Sequence, residues 1–292
     1  MHEKEGISLQ AGQKRRIVVG DIHGELDGFR EILRNAGLTD SKDNWSGGND
    51  ILIQTGDVID RGPYSREVID LLRKLQDVAT RAKGEVIRLC GNHELMLLQR
   101  NFSYVNFTDP ESLIAELREE ITKGDVQASY SDGERLYSHA GLRSTIRETL
   151  TAEMGPIMSK SKRRNIDLHR LSDHINSVFK ESVEKNDLDR HPIFHVGPDR
   201  GGSDPVGGIF WCDFSSVNSS EEAWIIPQIF GHTPTRKNGV KTAHGLNLID
   251  VDAGMCRVFG GARVYLEITP EAHLLQHIKA LSKWTTTPLC VQ

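Results

Sequence analysis

Two carboxylates and a guanidinium crowd one seven-residue stretch, Gly56-Asp57-Val58-Ile59-Asp60-Arg61-Gly62, directly after the apolar run Ile51-Leu52-Ile53-Gln54-Thr55. Acids gathered at a strand end are costly unless something divalent neutralises them, and an arginine beside them invites an anion. The trio therefore predicts a metal site that handles phosphate. Further ligand types stand at comparable places along the chain. In Gly20-Asp21-Ile22-His23-Gly24 the acid and the imidazole are two residues apart, so extended backbone turns both to one side, where they can share an ion. Asn92 and His93 follow the run Glu85-Val86-Ile87-Arg88-Leu89, His139 follows Leu136-Tyr137-Ser138, and His232 follows Ile229-Phe230-Gly231. The set Asp21, His23, Asp57, Asn92, His139 and His232, with Asp60, Arg61 and His93 beside it, mixes oxygen and imidazole donors without thiolate. That mixture suits Mn²⁺, Fe or Zn²⁺ better than Ca²⁺. It is also more than one ion needs once water and substrate are admitted. Two divalent ions about 3.5–4 Å apart, sharing one carboxylate, use the donors better.

The elements that must position these residues read as repeated βα units. β-branched runs end at Val19, Thr55 and Leu89, each followed by ligand-type residues, and helical spacing follows in residues 27–35 (Phe29, Ile32, Leu33) and 65–82 (Val68, Ile69, Leu72, Leu75). A helix over residues 109–124 opens on Asp109-Pro110-Glu111, a cap followed by a first-turn proline, and stops at Gly124. The expected class is α/β, with ligands at the carboxyl edge of the sheet. Residues 143–205 change character. They carry the basic run Lys160-Ser161-Lys162-Arg163-Arg164, read as a solvated loop, and a helical stripe at Leu168, Leu171, Ile175, Val178 and Phe179. This segment is expected to be an insertion or cap over the site within a single domain. The core pattern resumes at residues 207–213 and 225–230, closing strands are expected at residues 247–252 and 262–268, and a final helix over residues 271–283.

Composition bounds the rest. The 292 residues, 37% hydrophobic and 26% charged, describe a soluble globular chain, and no apolar run approaches bilayer length. The polar start, Met1 to Arg16, has no apolar stretch of leader type, which places the expected location in the cytoplasm. A net charge of −5 argues against a nucleic-acid surface across the whole protein. Cys90, Cys212, Cys256 and Cys290 lack CxxC spacing and read as reduced, packed thiols. His169, His174, His191, His195, His244, His273 and His277 have no motif around them and read as surface or core residues.

Taken in order, Gly20-Asp21-Ile22-His23-Gly24, Gly56-Asp57-Val58-Ile59-Asp60-Arg61-Gly62, Gly91-Asn92-His93-Glu94, His139-Ala140-Gly141 and Gly231-His232-Thr233-Pro234 resemble the motifs of the phosphoprotein phosphatase family within the calcineurin-like metallophosphoesterases. Residues 38–104 are most similar to its bacterial-type Shewanella-like phosphatase branch. The resemblance implies a central β-sandwich flanked by helices. It implies one metal on Asp21, His23 and Asp57 and a second on Asp57, Asn92, His139 and His232, with Asp57 bridging. It further implies Arg61 as the phosphate clamp, His93 as the acid for the leaving oxygen and Asp60 as the group orienting His93. Hydroxide activated between the metals would attack phosphorus in line. Two departures stand out: alanine follows His139 where the family has glycine, and no arginine follows Trp211 at the spacing of the branch's second phosphate-binding arginine. Arg143 and Arg200 are the candidates to replace it. The expected function is phosphomonoester hydrolysis, with phosphoserine, phosphothreonine or phosphotyrosine in proteins as the expected substrates; the alternatives are a dinucleoside polyphosphate or other small-molecule phosphohydrolase, a nuclease of the same fold, and a metal-bound scaffold with weak catalysis.

Overall fold

The computed structural model of the protein describes residues 14–155, 166–219, 225–235 and 239–290. The basic run at residues 160–164, the amino-terminal residues 1–13 and Arg236 lie outside the described residues. Strands β1 (Arg16–Val19), β2 (Ile51–Gln54) and β3 (Glu85–Leu89) run parallel and in register, joined by helices α1 (Leu26–Asn35) and α2 (Ser65–Arg81). Their residues alternate between two cores. Ile17, Val19, Leu52 and Val86 pack against the helices, while Val18, Ile51, Ile53, Ile87 and Leu89 pack against a second sheet. Both faces being buried, these strands are apolar apart from Arg16, Gln54, Glu85 and Arg88 near their ends, which makes the runs legible.

After α3 (Asn92–Leu98) and α4 (Pro110–Lys123), the short strand β4 (Val126–Gln127) extends the first sheet beside β3. Asp109 caps α4 by accepting from the Ser112 amide, and Gly124 ends it at φ +86°. The second sheet comprises β5 (Ser129–Ser131), β6 (Leu136–Ser138), β7 (Gln228–Phe230), β8 (Lys241–Ala243) and β9 (Leu248–Asp250), in the order β5-β6-β7-β9-β8. Tyr137, Ile229 and Ile249 face β1–β3 across the shared core, so the two sheets form a sandwich.

Between β6 and β7 lie α5 (Ser144–Glu153), α6 (Leu168–Lys185) and α7 (Phe214–Asn218). The apolar face of α6 is not a separate core: Leu171, Ile175 and Phe179 join the main cluster, and the rings of Phe179, Phe194 and Phe210 lie 5.4–6.4 Å apart. Ile209 and Phe210 are fully buried, yet residues 207–213 form turns, not a strand.

The carboxyl end departs from expectation. In place of a helix over residues 271–283, β11 (Leu274–Ala280) turns into β12 (Lys283–Pro288), both antiparallel and stacked outward from β10 (Arg263–Ile268) on the β1 edge. The spacing of Leu274, Leu275 and Ile278 fits a helix face, but the open edge of β10 offers a full ladder of backbone partners. Pairing satisfied what local periodicity left ambiguous.

Candidate metal centre

The register that aligns β1, β2 and β3 also aligns their ends, and the loops leaving them are tied together. The Ile22 and His23 amides both donate to the Asp57 carbonyl, at 3.0 and 2.9 Å, and Gly24 donates to Val58 at 2.8 Å. On the second sheet β6, β7 and β9 run parallel, so His139, His232 and Asp252 emerge side by side, and Gly231 donates to the His139 carbonyl at 2.8 Å. Close approaches here depend on glycine: within the first edge a Cβ on Gly91 would lie 2.2 Å from Asp57 Oδ1, and where the two edges meet one on Gly231 would lie 2.5 Å from Asp21 Oδ1.

The side chains converge on Asp57. His23 Nε2 lies 3.5 Å from its Oδ2 and His139 Nε2 lies 3.6 Å from its Oδ1, with the two oxygens entering separate donor groups: His23–Asp57–His93 and Asp21–Asp57–His139. Asn92 Oδ1 stands 2.8 Å from His139 Nε2 and 2.9 Å from His232 Nδ1, and Asp21 Oδ1 accepts from the His232 amide at 3.1 Å. The expected ligands are thus all buried in one cluster.

The protonation pattern shows what such a cluster fits. His23 Nδ1–H donates to the Ile59 carbonyl and His139 Nδ1–H to the Thr55 carbonyl, each at 2.9 Å, so each Nε2 presents a lone pair. Burial keeps both rings neutral; it brings His23 down to about 4 and lowers His139 and His232 as well. Burial also raises the Asp57 carboxyl, but His139, His93 and His23, wherever they carry charge, and the His93 amide 2.9 Å from Oδ1 outweigh it, and the group lies below the usual carboxylate range. Lone pairs of neutral imidazoles therefore face an anionic carboxylate. That arrangement is repulsive in a dry interior unless cations lie between, and Asp57, shared by both groups, can serve two. The residues fit a pair of divalent ions.

Beside Asp57, His93 Nδ1–H donates to Asp60 Oδ2 at 2.7 Å, and Nε2 lies 3.3 Å from Arg61 Nη2. Burial opposes the charged ring, but Asp57 and Asp60 prevail and raise the His93 pKa above its ordinary value. Of the two arginine candidates, Arg200 reaches the cluster. It sits in a 3-10 turn (Pro198–Arg200), donates Nη2 to the His232 carbonyl at 3.1 Å and is held by both Nε and Nη2 on Asp213 Oδ1. Arg143 stays half-buried at the start of α5, where its charge bears on Cys212.

Two kinds of residue escaped the sequence reading. Glu94 was quoted as a motif letter only, yet its carboxylate accepts the amides of Asp57 (2.9 Å), Val58 (2.9 Å), Ile59 (3.1 Å) and Gly91 (2.8 Å). Burial and Asp57 lift its pKa to about 7, against the pull of those amides. It pins the turn that carries the shared carboxylate. This turn needs pinning: Asp57, Asp60 and Arg61 have φ between +53° and +68°, with His23 (+49°) and His232 (+73°) in the neighbouring loops close by, in a region that costs a non-glycine residue on the order of 1–3 kcal/mol. Asp250 and Asp252, fully buried behind Asp21, also went unremarked. Their signal was present, since Leu248-Ile249-Asp250-Val251-Asp252 is one more apolar run ending in acids.

The chain belongs to the calcineurin-like phosphoesterase family, whose profile matches residues 14–236, more than half of its length. Among curated proteins, Shewanella-like protein phosphatase 2 of Arabidopsis thaliana is 42% identical over 92 residues, covering 32% of this chain and 24% of that protein. Shewanella-like protein phosphatase 1 of Plasmodium berghei is 44% identical over 90 residues, 31% of this chain and 25% of that protein. The matched part spans about a quarter of each relative's length. Among solved structures, the cold-active protein-tyrosine phosphatase of a psychrophilic Shewanella species superposes with a TM-score of 0.69 at 22% identity, covering 96% of this chain and 81% of that one, which establishes the common fold. No helix among the described residues is long and apolar enough to cross a membrane.

Proposed function

We propose that the protein is a metal-dependent phosphomonoesterase acting on phosphorylated proteins. One observation carries the reading: His93, the proposed proton donor, and Arg61, a guanidinium with no carboxylate partner among the described residues, stand 3.3 Å apart beside the carboxylate that two donor groups share. Asp21, His23 and Asp57 would hold one ion and Asp57, Asn92, His139 and His232 the other; when bound, the pair supplies Lewis acidity that makes water a nucleophile near neutral pH. Arg61 binds two phosphate oxygens through its planar fork and tightens its hold as charge grows on them. Asp60 keeps the proton on His93 Nδ1 and stabilises the cationic ring; Nε2 accepts from Arg61 Nη2 here, and once that guanidinium turns to phosphate Nε2 can carry the proton that goes to the leaving oxygen. A diester has only two non-bridging oxygens, and with Arg61 on both none is left over for the metals; a monoester has three and fits better. Residues 143–205 border the site through Arg200 and act as its cap. Manganese is our choice of ion, supported by the oxygen and imidazole donors without thiolate, and a cytoplasmic location is consistent with the free cysteines Cys90, Cys212, Cys256 and Cys290.

The test is a panel of phosphoserine, phosphothreonine and phosphotyrosine peptides, dinucleoside polyphosphates and diesters, with Mn²⁺ restored after chelation. Hydrolysis of the peptides above the other classes is expected; preferential cleavage of diesters or dinucleotides would overturn the reading. Asp57→Asn should empty both sites by elemental analysis and lower kcat/KM by about 10³-fold or more, whereas full metal occupancy would contradict the sharing of Asp57.

A further inference from the structure

Arg61 is held in an unusual way for an arginine with backbone in the left-handed region, at φ +64°. Among the described residues no carboxylate lies within ion-pair distance of its guanidinium. Nη2 donates to His93 Nε2 at 3.3 Å, and two rings flank the group: Tyr104 with its centroid 5.3 Å from Cζ and Phe259 at 5.0 Å. They come from segments 155 residues apart in the chain, and each also touches a histidine of the centre, Tyr104 packing 5.1 Å from His93 and Phe259 6.1 Å from His23. Both ring-bearing segments are tied to loops of the site. Asn106 Nδ2 donates to the Gly62 carbonyl at 3.0 Å, and the Arg257 amide, two residues before Phe259, donates to Glu25 Oε1 at 3.2 Å. Tyr104 is 49% exposed, so its outer face is open to solvent.

We infer that Tyr104 and Phe259 are positioning residues that hold Arg61 between their faces so that no acid is needed to fix it and its N–H groups, one of them resting on His93 Nε2, can turn to a phosphate. The inference rests on the phosphatase reading for its biological meaning, but not for its test. The physics is specific. A carboxylate partner would fix the guanidinium equally well, yet it would occupy the N–H donors and cancel the charge an incoming anion needs. A ring face attracts the cation through its quadrupole and uses no donor. Single arginine–ring contacts are common on protein surfaces. Here two rings act on one guanidinium that has no acid, while Arg200, close by, is locked onto Asp213.

The experiment measures binding of inorganic phosphate to the Mn²⁺-loaded, full-length protein by titration calorimetry, together with KM and kcat on a phosphomonoester. Each of Tyr104→Ala and Phe259→Ala should weaken phosphate binding roughly threefold, and the double variant about tenfold, as expected for loss of one or two contacts of this type. KM should rise by similar factors while metal content is unchanged. Tyr104→Phe, which keeps the ring, should bind as the parent does. In an Arg61→Ala background the two ring substitutions should have no further effect, because the rings work only through that guanidinium. The inference is overturned if the ring variants bind phosphate like the parent, if they weaken it equally in the Arg61→Ala background, if Tyr104→Phe is as weak as Tyr104→Ala, or if the parent protein binds no phosphate. A parent that binds phosphate through the rings and Arg61 but hydrolyses no ester would sink the phosphatase reading and leave the ring assignment standing.

Discussion

The centre has two edges, and they are built differently. On the edge of the first sheet, the loops after β1, β2 and β3 deliver Asp21, His23, Asp57, Asp60, Arg61, Asn92 and His93 within 73 consecutive residues, and one carboxylate, Glu94, pins the central turn through four amides. On the edge of the second sheet, His139, Arg200 and His232 come from positions spread over almost a hundred residues, and the arginine there is neutralised by Asp213. The first edge therefore holds the proposed proton donor, its pKa raised by Asp57 and Asp60 against burial, beside a guanidinium with no acid partner, and the second mainly contributes neutral imidazoles. We take this as a division of labour: chemistry on one edge, closure of the metal set on the other.

Substitutions can break or sharpen that contrast. The largest effect is expected at the proton donor. His93→Asn should retain metal yet lower kcat on phenyl phosphate by about 10²–10⁴, with much less loss on p-nitrophenyl phosphate, whose leaving group needs no acid; equal losses on both esters would remove His93 from proton transfer. Arg61→Met should reduce kcat/KM by about 10²–10³, whereas Arg200→Met should cost no more than about tenfold, and a reversed order would invert the comparison. Glu94→Gln replaces an acceptor oxygen with a donor that faces amides. A loss of about 10–100-fold in metal affinity is expected, as for other groups that orient ligands, measured by competition with a chelator, and unchanged affinity would show that the turn holds itself.

The smallest effect lies away from both edges and serves as a reference. Glu116 accepts from Arg66 and Arg73, and the Arg66 bond above all brings its pKa down to about 2. A folded pKa below the ordinary 4.5 stabilises the fold above pH 4.5, and that contribution fades as pH falls towards about 2. Being partly exposed, the pair should contribute less than about 1 kcal/mol. Glu116→Gln should thus lower the urea midpoint slightly at pH 7 and converge on the parent near pH 2, with kcat unchanged at either edge.

The contrast between edges is also a contrast in legibility. Wherever a strand is buried on both faces and ends in a glycine-flanked ligand, local sequence sufficed to mark it, as with β1, β2 and β3 and the motif residues after them. At Asp250 and Asp252 the same signal existed but was masked by reading the run only as a closing strand. The carboxyl-terminal hairpin was misread because Leu274, Leu275 and Ile278 satisfy a helical period as well as a strand, and only the free edge of β10 separates the two.

By itself the sequence determined which residues could ligate, which could carry a proton, and that they would sit at strand ends, because residue chemistry and apolar periodicity are local properties. Tertiary structure alone decided that Asp57 faces both donor groups, that Glu94 gathers four amides, that Arg200 and not Arg143 reaches His232, and that two rings embrace Arg61. Each of those depends on pairing register and on contacts between segments far apart in the chain, and no window of residues carries that information.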